Sequence, residues 1–495
     1  MKLPVSRNLL QKLSPFDRTV LVIVAILLLL IGVVFARGNQ SPLRVSQFSW
    51  RNSNIDAQTE FISLQLDHPI NPSEIKPQVD LKPSLAGTEI WQNRRWFYTL
   101  TESPAYGTNY QATLTLPTLT PKGGETDFTS LITSRARSFV YIGVDEAERG
   151  RLVLYDITNP KNPQKIILTP NDLSVRQFQI YPQGDRLVFL ATDATRNNGQ
   201  QQLFTVTTGV NNQNTLKETL PGRLQRLLEN QPYNNQTLAL SRNGEMLVLA
   251  RQNQQNPADA SLWAFPAEGE PRPLGIRSNA FVVSPQGDRL ATVQDNGVTV
   301  IPLQTGEGGS KLFNGFKQAF TFSPNNQQLL LGKQNLDFTY SASIINLQTG
   351  EAQEFLRDQY PIKTCQFDPR AADTVYCLQT DYVPQPDGTV REEPYLALIN
   401  LNSLDSLPLL ALPNYPEVDL SLAPDGLALM FDQVATTDPV TLTDPQTLSG
   451  RAISDARVWL LPLPEEFAQF QAESNFTFSP QPQELTPGFA PQWMP

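Results

Sequence analysis

The sequence holds few of the side chains that bind metals or perform nucleophilic catalysis. It has one histidine, His68, and two cysteines, Cys365 and Cys377. A structural zinc site takes four Cys or His ligands, so these residues cannot build one, and a histidine-based triad would have to use His68. There is no Gly-x-Ser-x-Gly elbow, no P-loop and no dinucleotide fingerprint. The sequence therefore predicts no catalytic residue, no metal site and no cofactor.

Polar loops are the remaining candidates for a site. Either they form one face that contacts a glycan or a protein, or they are solvated connections between strands. Asp193–Gly199 approaches the spacing of a calcium loop, but its glycine comes one position late and no closing Glu follows. The loops rich in Asn and Gln are Arg196–Gln202, Asn211–Asn214, Glu229–Gln236 and Arg251–Asn256.

Composition restricts the partners. The chain has 495 residues, with 38 Lys and Arg against 48 Asp and Glu, which gives a net charge of −10. A nucleic-acid-binding surface needs a basic patch, so we expect no nucleic-acid partner. The length allows about three domains or one large repeat array.

An apolar segment near the amino terminus predicts a membrane anchor. Thr19–Ala36 contains no charged residue and as a helix would extend about 27 Å. The alternative is a cleaved signal peptide, since Val34-Phe35-Ala36 offers small residues at a cleavage site. We expect a cytoplasmic tail over residues 1–18, a single-pass transmembrane signal anchor over 19–36, and the bulk of the chain on the extracytoplasmic side of the cell membrane.

A small all-β domain is predicted over residues 45–134. Short runs of alternating apolar and polar residues are separated by Pro, Gly and Asn, as strands and turns require. Phe61–Ile75, FISLQLDHPINPSEI, and Tyr106–Leu116, YGTNYQATLTL, resemble the bacterial Ig-like domains of S-layer proteins. The resemblance implies an Ig-like β-sandwich that acts as a spacer or adhesive unit without catalytic residues. His68 falls in one of its turns.

Internal repeats fill residues 135–480. The segment Pro182–Leu187, PQGDRL, recurs unchanged at Pro285–Leu290. Each repeat consists of an apolar strand, a Pro-x-Gly turn, a second strand, a loop and a third strand, and successive repeats are close to the period of about 40–50 residues typical of propeller blades. Their first strands begin near Phe178, Leu238, Phe281, Phe320, Cys365 and Leu420.

A seventh repeat is predicted where the two ends of the array meet. Strands near Phe139, Arg151 and Lys165 lack a first strand, and Phe476–Pro480 repeats the start of a blade. A carboxyl-terminal strand would then close the ring and remove its open edges. The fold class is accordingly all-β, with a seven-bladed β-propeller, a six-bladed ring as the alternative, and a disordered Pro-rich tail over 481–495.

The repeated turns resemble the WD40-like repeats of TolB-type propellers. The similarity is strongest at Phe281–Leu290, FVVSPQGDRL, and Leu422–Leu427, LAPDGL. The resemblance implies a propeller scaffold and says little about its ligand. The Gly-His and Trp-Asp signatures of eukaryotic WD40 blades do not recur.

The two cysteines take equivalent places in one predicted hairpin. Cys365 stands where another blade has Phe178, and Cys377 where it has Phe189. The pair forms either a cross-strand disulfide or two buried thiols that pack as small apolar groups.

These features favour a non-enzymatic scaffold or binding protein. The anchored chain is expected to engage a protein or glycan partner in the cell envelope through its propeller. The alternative is a propeller-type hydrolase or lyase that uses a carboxylate, Tyr or Arg in the central channel. Such an enzyme would cluster Asp, Glu, Arg or Tyr at one channel mouth and shift their pKa values.

Overall fold

The computed structural model describes most of the chain. The described residues are 15–37, 44–49, 54–57, 59–67, 69, 78–117, 125–196, 199–210, 220–228, 232–304, 309–412, 415, 417–438, 444–463 and 481–495. By contacts within the chain, residues 1–51, 61–99 and 110–131 form one compact unit, and residues 52–60, 100–109 and 132–495 form a second.

Among the described residues the one α-helix is α1, which covers Pro15–Arg37 and bears on the predicted membrane anchor. Within the described part of the chain, no helix is long and apolar enough to span a bilayer. The predicted transmembrane anchor over Thr19–Ala36 was therefore wrong, and so was the predicted single-pass membrane localisation.

Residues 45–134 form two four-stranded sheets with the orders β1-β3-β6-β5 and β2-β8-β7-β4. Alternate side chains of β3 point inward, so Ile62, Leu64 and Leu66 are buried. Phe48 of one sheet and Phe128 of the other meet edge to face. The strands are β1 (Val45–Phe48), β2 (Asn54–Ile55), β3 (Phe61–Leu66), β4 (Gln78–Lys82), β5 (Gly87–Gln92), β6 (Arg95–Leu100), β7 (Asn109–Pro117) and β8 (Glu125–Ser134).

The remaining strands form the four-stranded blades of a β-propeller. Blades 2 to 4 take the chain from β12 to β23, each in simple antiparallel order. The strands of this half are β9 (Ser138–Gly143), β10 (Leu152–Asp156), β11 (Gln164–Ile167), β12 (Leu173–Ile180), β13 (Arg186–Asp193), β14 (Gln201–Thr207), β15 (Leu224–Arg226), β16 (Tyr233–Leu240), β17 (Met246–Asn253), β18 (Ala260–Pro266), β19 (Arg272–Pro273), β20 (Phe281–Val283), β21 (Arg289–Gln294), β22 (Gly297–Pro302) and β23 (Lys311–Asn314).

Blades 5 and 6 repeat this arrangement, and the last strands complete the ring. Those strands are β24 (Gln318–Phe322), β25 (Gln328–Gln334), β26 (Tyr340–Asn346), β27 (Ala352–Asp358), β28 (Ile362–Phe367), β29 (Thr374–Pro384), β30 (Val390–Asn400), β31 (Ser406–Ala411), β32 (Leu420–Leu422), β33 (Ala428–Thr437), β34 (Ala452–Pro462) and β35 (Gln483–Trp493). The first strand of each predicted repeat lies within β12, β16, β20, β24, β28 or β32.

The closing strand is β35, which joins blade 7 to blade 1 in one sheet of order β11-β10-β9-β35-β34-β33-β32. Its first half pairs with β34 and its second half with β9. Blade 7 is thus β32-β33-β34 with the start of β35, and blade 1 is the end of β35 with β9-β10-β11. Among the described residues this gives seven four-stranded blades.

The carboxyl-terminal tail therefore differs from the prediction. Residues 483–493, expected to be disordered, form the strand that closes the ring. Phe476–Pro480, the segment predicted to close it, lies outside the described residues.

Candidate binding site in the central channel

The first strand of each blade, here called the inner strand, faces a central channel. At the end of these strands the Pro-x-Gly turns surround an open cavity of about 530 Å³. We call this end the turn mouth and the other end the far mouth. The cavity is lined by Ala57, Tyr106, Gln179, Ile180, Pro182, Leu240, Ser241, Arg242, Val283, Pro285, Phe320, Thr321, Phe322, Pro324, Thr364, Gln366, Phe367, Pro369, Leu420, Ser421, Leu422, Ala423, Pro424, Gln492, Trp493 and Pro495.

The side chains that line this cavity are mostly apolar or neutral. Arg242 is the only charged side chain among the described lining residues, which include no Asp, Glu, Lys, His or Cys. The other titratable side chain is that of Tyr106, whose pKa burial raises to about 12, so its hydroxyl stays neutral at physiological pH. General acid–base catalysis needs a group that titrates near the working pH, and this lining does not supply one.

The turn that follows the inner strand contains a residue with a positive φ angle. Gly287 has φ 69°, and a Cβ on it would lie 2.8 Å from the Cβ of Met246 in the preceding blade. Asn326 takes the same conformation in blade 5 with φ 61°, and its Nδ2 donates to Oδ1 of Asp288 at 2.9 Å. The turns therefore also join neighbouring blades around the mouth.

Tyr106 is fixed at the turn mouth by a buried carboxylate. The backbone N–H of Tyr106 donates to Oδ2 of Asp425 at 3.0 Å, and Asp425 is only 2% exposed. Arg137 pairs with the same oxygen at 3.4 Å. The hydroxyl of Tyr106 in turn accepts the N–H of Ala57 at 3.3 Å. The aspartate of the Pro-Asp-Gly turn in blade 7 thus positions part of the cavity wall.

Glutamine side chains join successive inner strands. Each donates its amide to a backbone carbonyl of the next blade, which satisfies groups on the free edge of that strand. These hydrogen bonds are Gln492 to Phe178 at 2.9 Å, Gln177 to Leu238 at 3.0 Å, Gln318 to Ile362 at 3.3 Å and Gln366 to Leu420 at 3.2 Å. The channel wall is consequently held together by side-chain amides that are already engaged.

The inner strands of blades 2, 3, 5 and 6 share a bulge. One residue in each lacks a partner in the register, namely Arg176, Gln236, Phe320 and Lys363. A bulge bends a strand and changes the direction of a side chain. In blade 5 this residue is Phe320, which lines the cavity.

Acidic side chains meet in blade 7 at the far mouth. The carboxylate of Asp432, which is 1% exposed, accepts the N–H of Asp419 and the N–H of Ala490, each at 2.7 Å. Burial raises the pKa of Asp432 well above 3.8, and the nearby Asp419 raises it further. Desolvation also raises the pKa of Asp419, with a smaller contribution from Glu417, although its side chain remains accessible to solvent.

The cysteines lie away from the channel. Cys365 and Cys377 are direct partners in the β28–β29 hairpin, both fully buried, and the structure joins them in a disulfide. Thr364 and Gln366 line the cavity, whereas Cys365 between them points to the opposite face of the strand, as strand alternation requires. The pair belongs to the hydrophobic core between blades 5 and 6.

The Asn- and Gln-rich loops predicted from the sequence contribute no residue to the described lining of the turn-mouth cavity. His68 and the loop Asn211–Asn214 lie outside those residues. Glu229–Gln236 contributes the beginning of β16, and Arg251–Asn256 begins in β17. Where the chain is described, no group of three His, Cys, Asp or Glu could hold a metal ion.

No protein-family model matches this sequence, and no curated protein is similar to it. TolB from Acinetobacter baumannii is 11% identical, with a TM-score of 0.36 over 62% of this chain and 77% of that chain. Oligogalacturonate lyase from Vibrio parahaemolyticus is 10% identical, with a TM-score of 0.44 over 86% and 99%. The Cps50 (Swd1) β-propeller domain from Myceliophteria thermophila is 9% identical, with a TM-score of 0.35 over 59% and 88%. At these values the likenesses carry no argument about activity. None of these structures supports the Ig-like assignment of residues 45–134.

Proposed function

We propose that the propeller is a binding module that takes a peptide segment of a partner protein into the turn mouth. The observation that carries this proposal is the lining of the 530 Å³ cavity, in which aromatic and aliphatic side chains alternate with neutral polar ones. Its volume lies within the range of about 300–1,000 Å³ that ligand pockets occupy. Pro-rich or apolar peptides bind grooves lined by aromatic side chains without needing charged partners.

A peptide fits this lining better than a glycan does. Sugar hydroxyls need many hydrogen-bonding groups, and the amides of Gln366 and Gln492 already donate to backbone carbonyls. Half-buried Leu240, Val283 and Leu420 instead present apolar surface to the cavity. Covering this surface with an apolar side chain lowers the free energy, because apolar area is removed from water.

The experiment is a selection from a phage-displayed random peptide library, run in parallel with a glycan array. We expect apolar and Pro-containing peptides to be enriched and the array to show no binding. Val283→Lys, which puts a charge into the cavity, should abolish peptide binding. Leu312→Lys, in the outer strand of the same blade, is the matched control and should bind normally, because Leu312 is 45% exposed. Glycan binding without peptide binding would refute the peptide proposal.

A second candidate function is a hydrolase or lyase at the far mouth. Asp419 and Asp432 support it because one carboxyl is buried and the other accessible, which is how two acids acquire different protonation states. Chromogenic glycosides and polygalacturonate are suitable probes. Turnover that is lost in Asp419→Asn and kept in Asp337→Asn, at an exposed acid of blade 5, would favour the enzyme. Equal rates in the wild type, Asp419→Asn and Asp337→Asn, or no turnover by the wild type, would reject the enzyme proposal.

A further inference from the structure

A small polar cleft lies between blades 3 and 4 at the far mouth. Its volume is about 180 Å³, and Gln236, Gln252, Ser278 and Asn279 contribute polar side chains to its wall. Two arginines, Arg251 and Arg277, also line it, and no acidic side chain is among the described lining residues. The cleft is separate from the turn-mouth cavity.

Arg251 is a buried cation held in a fixed orientation. It is only 8% exposed, and its Nε donates to Oδ1 of Asn235 at 3.2 Å. The guanidinium carbon lies 4.6 Å from the ring centre of Tyr233 and 5.0 Å from that of Trp263. The guanidinium therefore packs against both aromatic rings. Burial lowers its pKa, which reflects incomplete solvation of the charge.

The charge on Arg251 has no carboxylate partner in the described part of the chain, and its two terminal nitrogens make no hydrogen bond there. Two other arginines with little exposed surface differ. Arg135 pairs with Asp56 at 2.8 Å and Arg370 with Asp368 at 3.1 Å. A largely buried guanidinium without an opposite charge has a free-energy cost, which a bound anion would offset.

Arg277 adds a second positive charge at the rim of the cleft. Its Nη2 donates to the carbonyl of Ala258 at 2.6 Å, which holds the side chain in place. Asp259, the neighbouring acid, is occupied elsewhere: it accepts the hydroxyl of Tyr233 at 2.7 Å and Nδ2 of Asn253 at 3.0 Å. The described lining of the cleft therefore holds no acidic side chain that neutralises Arg251 or Arg277.

We propose that this cleft binds a carboxylate group, with Arg251 as the anchoring fork and Arg277 as a second donor. The free edge of a guanidinium matches the two oxygens of a carboxylate in a bidentate pair. At about 30 Å³ per water molecule, 180 Å³ holds about six waters, so a small organic acid or one acidic side chain fits. The carboxylate comes either from a free acid or from a Glu or Asp of a protein segment.

Calorimetric titration of the full chain at constant ionic strength tests this site. The probes are succinate, a blocked tripeptide Gly-Glu-Gly, its Gly-Gln-Gly counterpart and inorganic phosphate. We expect succinate, the Glu peptide or both to bind. Binding of succinate indicates a free acid as the source of the carboxylate, and binding of the Glu peptide indicates a protein segment. The Gln peptide should not bind.

Variants assign the binding to the cleft. Arg277→Gln, at an exposed side chain, should fold normally and weaken carboxylate binding about tenfold, since it removes one charge-assisted donor. Arg251→Gln should abolish binding. Arg223→Gln, at an exposed arginine of blade 2, is the control and should leave it unchanged. Failure of every carboxylate to bind, equal affinity in Arg277→Gln, or binding of phosphate alone would overturn the proposal. Because Val283 lies in a different cavity, Val283→Lys tests the peptide proposal independently.

Discussion

The side-chain amide of Gln177 forms two hydrogen bonds with the backbone of Leu238. Its Nε2 donates to the Leu238 carbonyl at 3.0 Å, and its Oε1 accepts the Leu238 N–H at 2.9 Å. In this way a side chain of blade 2 satisfies both backbone groups of a residue on the free edge of the inner strand of blade 3. Leu238 is 1% exposed, so water does not easily take over either bond.

Gln177→Leu is therefore expected to destabilise the ring. It keeps the size of the side chain but leaves two buried backbone groups unpaired, at about 1–3 kcal/mol each. We expect a loss of about 2–4 kcal/mol, measured by urea unfolding. Gln353→Leu, at an exposed residue of β27, is the control and should change stability by less than about 0.5 kcal/mol. Equal stability of the two variants would show that the inter-blade bond contributes nothing.

Gly488→Ala is expected to weaken the closure of the ring. A Cβ at Gly488 would lie 2.3 Å from the ring of the buried Tyr141, so the contact of β35 with β9 would have to open. Overpacking of this kind costs about 1–3 kcal/mol, which a thermal melt can detect. Gly309→Ala has nothing within 4 Å of its Cβ and should melt like the wild type. A melting temperature for Gly488→Ala that matches this control would contradict the tight closure.

The pairing of Cys365 with Cys377 remains a prediction for the protein in solution. Intact mass measured before and after reduction should increase by two hydrogens if the disulfide is present. Its loss in the Cys365→Ala/Cys377→Ala double variant should cost about 2–3 kcal/mol, because the bridge restricts the unfolded chain. An unchanged mass on reduction would mean that both residues are buried thiols.

The pH dependence of stability should reflect the raised pKa of Asp432. The folded state holds this proton more tightly than the unfolded state does, where the pKa is near 3.8. The resulting stabilisation is complete below that value and is lost as the pH rises through the folded pKa. The stability advantage of wild type over Asp432→Asn should therefore decrease from about pH 4 upward. A changed hydrogen bond of the amide in Asp432→Asn shifts the stability difference by the same amount at every pH. The slope of that difference against pH is therefore the quantity to measure.

Asp337 provides a control of opposite sign. Hydrogen bonds from Thr339 lower the pKa of this exposed carboxylate, so its contribution is present above pH 3.8 and lost as the pH falls. The advantage of wild type over Asp337→Asn should increase with pH. Parallel slopes for the two variants would contradict a raised pKa at Asp432.

The blades were predictable from the sequence because their signals are local. A Pro-x-Gly turn between two apolar strands sets its own geometry, and the repeat places the inner strands within β12, β16 and the later blades. The closing strand was missed because Pro487 and Pro491 suppress strand propensity. In the structure Pro487 lies where β35 passes from β34 to β9, and Pro491 lies within an irregular part of the register.

The sites were much less predictable than the fold. Asp432 reaches Asp419 and Ala490 through pairing that no local motif encodes. In the sequence, Arg251 stood out only as the first residue of the polar segment Arg251–Asn256. Its packing against Tyr233 and Trp263 brings together the strands β17, β16 and β18, which no local pattern indicates. The predicted membrane helix relied on apolar composition and length alone.

Photo-crosslinking tests the central claim, that the turn mouth binds a peptide, most directly. A photoreactive phenylalanine analogue replaces Phe320 in the cavity or Leu312 on the outer strand of blade 4. We expect a peptide recovered from the library to crosslink at position 320 and not at 312. Crosslinking at 312 alone, or equally at both positions, would contradict binding in the channel.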